Sequence, residues 1–294
     1  MRSPFPPRRA AELLAAGALV LAAGCGGDAA AGERPDRVVA GPQGAVGQFV
    51  VECGFSHHAS DDPIVAPGRP GASHLHQFFG AADVHAGSTY DELVAGATTC
   101  DHRADTASYW APVLIDAEQH PIVPVRSVAY YRAGPDVDPA AVEPYPADLA
   151  MIAGDAGALE PQPVEVVSWS CGAGSERHPA PPACGPSTTL RMTVTFPDCW
   201  DGEHARSPEP DDFSAHVAYS TAGRCADSHP VHIPQLQFAI DYPPVAADEL
   251  AGLALSSGAI TTGHADFWNA WDQDALAREV TRCIGRDLVC GVSG

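Results

Sequence analysis

Short apolar runs, broken by clusters of Gly, Pro and Asp, set the pattern of this chain. Residues 48–53 (QFVVEC), 109–115 (YWAPVLI), 127–132 (SVAYYR), 164–171 (VEVVSWSC), 190–196 (LRMTVTF), 216–220 (HVAYS) and 235–242 (QLQFAIDY) read as strands. They are rich in β-branched and aromatic residues and are bounded by turn formers. Residues 73–79 read as a further strand and 253–256 as a weaker one, whereas the Asp/Pro/Gly-rich segment 54–71 reads as a loop. Residues 89–95 predict a short helix. In residues 265–284, Phe267, Trp268, Trp271, Ala275, Leu276, Val280 and Cys283 recur near helical spacing. A C-terminal helix is therefore expected there, capped by Thr262 or Asp266 and ended by Gly285. The expected fold is mainly β: a single β-sandwich or jelly-roll-like domain with long disulfide-stapled loops and one C-terminal helix.

The N-terminus changes the picture of where this domain works. Arg2, Arg8 and Arg9 precede a short apolar stretch at 13–23, which runs into Leu21-Ala22-Ala23-Gly24-Cys25. The stretch is too short to span a bilayer, which takes about 20 residues. Small residues before a cysteine have the form of a bacterial lipobox. Residues 1–24 are thus expected to be a lipoprotein signal peptide, and Cys25 the lipidated anchor of a flexible tether at 25–45. Residues 46–294 form the domain. The expected location is extracytoplasmic, on the bacterial membrane.

Cysteine usage agrees. The chain has nine cysteines, and setting Cys25 aside leaves an even number for an oxidising compartment. Spacing does not fix the pairing. Proximity favours Cys53–Cys100, Cys171–Cys184, Cys199–Cys225 and Cys283–Cys290. A cysteine-ligated zinc lacks its usual C-x-x-C pair.

Charge removes other classes of function. The 294-residue chain carries 16 basic and 37 acidic residues, a net charge of -21, and every basic residue is arginine. Without lysine there is no Walker A loop and no Schiff-base or lysine-base chemistry. Such an acidic surface repels nucleic acid, so no nucleic-acid partner is expected.

Candidate chemistry gathers in residues 53–80, which hold His57, His58, His74 and His76 with Asp61 and Asp62. In an extended His74-Leu75-His76, both imidazoles share a face. The blocks SHH, DDPIV and SHLHQFFG in this stretch resemble the DUF1996 domain family. So do TTC at Thr98–Cys100, SYWAPVL from Ser108, YYR from Tyr130, TFPDCWDG from Thr195, HVAY from His216, SHPVHIPQL from Ser228 and GHADFWNAW from Gly263. The resemblance runs in order from Phe49 to Cys283. It departs at Gln77, where an acidic residue is expected, and at His232, where a variable one is. The resemblance implies a secreted protein of bacteria or fungi. In fungi such domains often sit beside WSC modules, which implies an extracellular or cell-wall polysaccharide as partner.

Three chemistries fit these residues. His74 and His76, with His216, His229 or His264, could hold a divalent metal such as zinc or copper. The same histidines, with Asp62 or Asp266, could serve acid/base catalysis in a glycan hydrolase or lyase. Tyr109, Trp110, Tyr131 and Trp268 could bind sugar in a non-catalytic module. The leading expectation is a glycan-binding or glycan-cleaving cleft walled by His74, His76, His216, His229 and His264, flanked by Asp62, Asp266 and Trp110.

Overall fold

A computed structural model describes residues 39–40 and 47–291. The expected signal peptide, Cys25 and most of the expected tether lie outside the described residues. Among the described residues, no helix is long and apolar enough to cross a membrane.

Two large sheets carry the fold. The first has seven strands in the order Val39–Ala40, Leu288–Cys290, Gln48–Cys53, Arg126–Arg132, Gln235–Tyr242, Leu190–Thr195 and Val167–Cys171. The second has five, ordered Phe55–Ala59, His76–Gly80, Ser108–Pro112, His264–Trp268 and Ala150–Gly154. Pairing is antiparallel throughout, except where Leu288–Cys290 runs parallel to Gln48–Cys53.

Alternation along each strand decides what faces what. Phe79, Tyr109 and Phe267 of the five-stranded sheet point inward and meet Phe49, Tyr131 and Phe238 of the other. The Tyr109 and Phe238 rings stack at 5.3 Å, and Phe79 meets Phe238 edge-on at 5.6 Å. This is the main core. A buried polar network threads it: the Tyr109 hydroxyl donates to Asp105 Oδ2 at 2.7 Å and contacts the Tyr131 hydroxyl, which also accepts from Trp271 Nε1. Burial pushes the Asp105 carboxyl up to about 7, against the hydrogen bonds that favour its charged form.

The outer face of the seven-stranded sheet is ionic. Arg191 grips Asp241 with two bonds of 2.6 and 2.8 Å, and Arg126 bridges Asp241 to Glu52. Four disulfides close the loops: Cys53–Cys100, Cys171–Cys184, Cys199–Cys225 and Cys283–Cys290. The short helix Tyr90–Ala95 starts on a Thr89/Glu92 capping box.

The C-terminal region differs from expectation. Residues 264–268 are a strand, not helix, and the helix is Gln273–Glu279, continued by a π-helical turn at Val280–Ile284. Asp272, rather than Thr262 or Asp266, caps it, accepting from Ala275 N at 2.8 Å. The strand alternates His264 and Asp266 with Ala265 and Phe267, but the indoles of Trp268 and Trp271 continue into the spacing of the helix that follows and imitate one helical stripe. The segment read as a loop at 54–71 likewise contains the strand Phe55–Ala59, an edge strand with a register shift.

Candidate functional site

The outer face of the five-stranded sheet carries His76 and Phe78, then Trp110 and Pro112, then His264, Asp266 and Trp268. A small satellite core of Phe78, Trp110, Ala150 and Trp268 covers part of it. The polar groups cluster beside that core.

Backbone geometry brings two histidines together across an intervening strand. His76 pairs with Pro112, and the pairing of Asp266 with Trp110, carried two residues further, sets Pro112 opposite His264. Proline projects little from the sheet, so both imidazoles can lean over it. On the other side His264 pairs with Gly154, where a Cβ would lie 2.5 Å from the Gly263 carbonyl oxygen. Gly154 has φ +84, so the position demands glycine twice over. His74 enters from the loop before the His76–Gly80 strand. The rings of His74 and His76 lie 4.2 Å apart, those of His74 and His264 5.0 Å, and those of His76 and His264 6.0 Å.

Tautomers follow from the partners. His76 Nδ1 lies 2.9 Å from the Asp61 carbonyl and His264 Nδ1 lies 2.8 Å from the Thr262 carbonyl. A carbonyl only accepts, so each Nδ1 carries the proton and each Nε2 presents a lone pair to the cluster. The Nε2 atoms of His74 and His76 are buried without a hydrogen-bond partner. Burial holds the imidazoles neutral: His74 is lowered to about 4, with His264 adding to the effect, and His76 falls further below the ordinary histidine value. His264 is lowered by the same cause.

Two carboxylates complete the group. Asp62 Oδ1 accepts the Ile64 and Val65 N–H groups at 2.9 Å each, turning the chain so that its carboxyl is buried. Asp266 is 1 % exposed and its Oδ2 has no partner. Burial, then the neighbouring Asp62, pushes Asp266 well above the ordinary carboxylate range, and burial raises Asp62 despite its backbone donors. One donor atom from each of His74, His76 and His264 lies within 4.8 Å of the others, and the same holds for Asp62, His76 and Asp266. His76 belongs to both sets, so the imidazole triad and the carboxyl pair adjoin through its ring.

The structure therefore brings together His74, His76, His264, Asp62 and Asp266, with Trp110 opposite Asp266 on the next strand. It does not bring His216 or His229 to them. His216 Nε2 donates to the Ala150 carbonyl at 2.8 Å, at the far end of the strand whose other end, Gly154, faces His264. Four residues of strand put about 13 Å between those points. His229 donates to the Ala215 carbonyl at 3.1 Å, and Asp201 takes His204 as partner at 2.7 Å. These side chains form a separate polar region.

The aromatic expectations divide similarly. Tyr109 and Tyr131 are fully buried in the main core and offer no face to a ligand. Trp110 stacks on Phe78 at 5.5 Å and is also fully buried. Trp268 lines a groove of about 390 Å³ at the Ala150–Trp268 end of the sheet, with Tyr90, Phe213, Asp148 and Arg206, and none of the five clustered residues lines it. Its Nε1 donates to Asp148 Oδ1 at 2.6 Å and Arg206 sits 4.4 Å over its ring.

Sequence reasoning missed Asp61, whose carbonyl orients His76 and whose carboxylate gathers the Gly71 and Ala86 N–H groups. It also missed the spacing role of Pro112 and Gly154. One signal was present: His264 and Asp266 are two apart, which puts them on one face once the segment is read as a strand. Gln77, the departure noted above, points to the opposite side from His76 and bonds Tyr242 and the Pro112 carbonyl.

Residues 62–271 match the family described as "Domain of unknown function (DUF1996)". No curated protein and no solved structure matches the chain.

Proposed function

The chain belongs to the DUF1996 family, and from the geometry of its site we propose that it is an extracytoplasmic metal-binding protein. A single divalent ion of the zinc–copper class is held by His74, His76 and His264, with Asp62 and Asp266 adjoining it through His76. The observation that carries this reading is the pair of buried, unpartnered nitrogens His74 Nε2 and His76 Nε2 within a triad of imidazoles. Buried polar atoms are ordinarily satisfied, and one cation satisfies both nitrogens at once. The chemistry fits as well. Imidazole and carboxylate suit zinc and copper(II), and the Nδ1–H bonds to backbone carbonyls are the outer-shell anchors that fix ligating histidines. When bound, such an ion supplies Lewis acidity at the sheet surface. The domain is tethered through acylated Cys25, and its four disulfides suit that compartment.

Elemental analysis of the purified, metal-reconstituted protein tests the reading. One zinc or copper per chain is expected, lost in His76→Ala and His264→Ala. Absence of stoichiometric metal in the wild type would sink it.

A second reading is a glycan partner, with binding or cleavage at the same face. The groove at the Ala150–Trp268 end of that face favours it, since aromatic Tyr90 and Phe213 stand there with Asp148, Glu209 and Arg206 as hydrogen-bonding groups. A glycan array with product analysis, using Tyr90→Ala as control, separates retention from turnover. If no glycan is retained, this reading fails and the metal reading stands.

A further inference from the structure

Two of the three imidazoles are fixed and one is not. His76 and His264 start strands, are buried, and each have Nδ1 tied to a backbone carbonyl. His74 precedes its strand and is only half-buried. Its ring contacts are to His76 and His264 alone, and among the described residues its ring makes no hydrogen bond. The chain just before it, residues 67–72, is exposed. There Gly68 and Gly71 adopt φ of +68 and +72 with nothing within 4 Å of a would-be Cβ. That segment packs into neither core and is held to the neighbouring loops by backbone bonds, Gly68 N–H to the Ala86 carbonyl and Ser73 N–H to the Ser60 carbonyl, and by Gly71 N–H to the Asp61 carboxylate.

Resting on the metal reading above, we propose that the position of His74 is the exchangeable coordination position of the centre, where an outside nitrogen or oxygen donor reaches the ion. His76 and His264 form the fixed floor, buried between Pro112, Gly154 and the satellite core. His74 is the solvent-side ligand. An ion entering or leaving passes this side, and a partner or substrate offering an imidazole, amine or carboxylate competes with His74 rather than with the floor. The surface favours delivery: a chain with a net charge of -21 and no lysine attracts cations over its whole face. Nor does the fold need the ion to stand. The main core and the four disulfides lie apart from the cluster, which suits a centre that is loaded and unloaded.

Chemical rescue tests this. Copper(II) is titrated into full-length wild type, His74→Ala, His74→Gln and His264→Ala, with and without free imidazole, and followed by the visible and paramagnetic spectra of the ion. Both His74 variants are expected to bind copper 10–100-fold more weakly than wild type. Imidazole is expected to restore the wild-type spectrum and to bring affinity back to within a few-fold. His264→Ala is expected to stay unrescued, because its vacated position is closed to solvent. Rescue of His264→Ala to the same degree, or no rescue of either His74 variant, overturns the proposal while leaving the metal reading intact. If wild type itself takes up no metal, both fall together, and that outcome is read in the wild type alone. Should His74→Ala fold poorly, His74→Gln retains the side-chain bulk and carries the comparison.

Discussion

His76 and His264 meet across a strand that separates them, their ring centroids 6.0 Å apart above Pro112. In a flat ladder, side chains two strands apart are about 9–10 Å away from each other. The approach is possible because the residue between them is small and the neighbour beyond His264 is Gly154.

Filling that gap should therefore disable the centre without unfolding the domain. Pro112→Phe sets a ring where the imidazoles converge. Metal uptake, measured by calorimetric titration, should fall at least tenfold. The unfolding free energy of the metal-free protein should fall by no more than overpacking costs, about 1–3 kcal/mol. Undiminished uptake would mean that the imidazoles do not depend on the space above Pro112.

Metal should also register as stability. A ligand at 100-fold over its dissociation constant stabilises the native state by about 2.7 kcal/mol. The melting temperature of the wild type should rise on adding zinc or copper and fall back with chelator. In His76→Ala the melt should ignore both. A chelator response that persists in His76→Ala would place the ion elsewhere.

The buried carboxyl pair gives a pH signature in the metal-free protein. Asp266 is raised in the folded state, so the fold loses stability as pH climbs from the unfolded value near 3.8 through the folded one. At low pH both states are protonated and nothing is lost. Asp266→Asn removes the ionisation. Denaturant titrations should find the variant more stable than wild type at pH 8, with the difference shrinking toward pH 4. The three histidines run the other way in both proteins, since their lowered values cost stability as pH falls below about 6.5. A difference that grows toward acid would contradict the assignment.

On the far sheet, Arg191 and Asp241 form a buried two-bond ion pair, 6 % and 3 % exposed. Arg191→Ala strands the carboxylate of Asp241, leaving it the partly exposed Arg126. A loss of about 3–5 kcal/mol in chemical denaturation is expected. Metal affinity should be unchanged, because the main core lies between the two faces. A loss of both would show that the sheets do not act independently.

The sequence carried the architecture where strands had one polar neighbour to mark the edge. Gln235–Tyr242 falls on the residues read for it, and Gln48–Cys53 does too. The four disulfides join the cysteines that proximity favours, although spacing alone leaves the pairing open. It failed at His264–Trp268, where Trp268 and Trp271 extend the apolar spacing of the following helix back over the strand. The site was legible in its parts. His74 and His76 declare themselves by alternation, and His264 with Asp266 by spacing, but their meeting depends on strand order, which pairs distant segments without any local signal. His216 and His229 carried equal chemical promise in sequence. Only the Ala150 and Ala215 carbonyls that hold them reveal that they are occupied elsewhere.

The five-stranded sheet assigns its side chains by parity. Along His76–Gly80 and His264–Trp268, His76, His264 and Asp266 build the centre and Phe78 and Trp268 the satellite core on one face, while Phe79, Ala265 and Phe267 build the main core on the other. Inheritance can therefore act on the two separately. A lineage that rewrites positions 76, 264 and 266 acquires a different chemistry on an unaltered scaffold, and one that drifts at the odd positions repacks its interior while keeping the centre. The same partition tells an engineer which letters to randomise: a library confined to positions 76, 264 and 266 explores ligands while leaving both apolar cores unchanged.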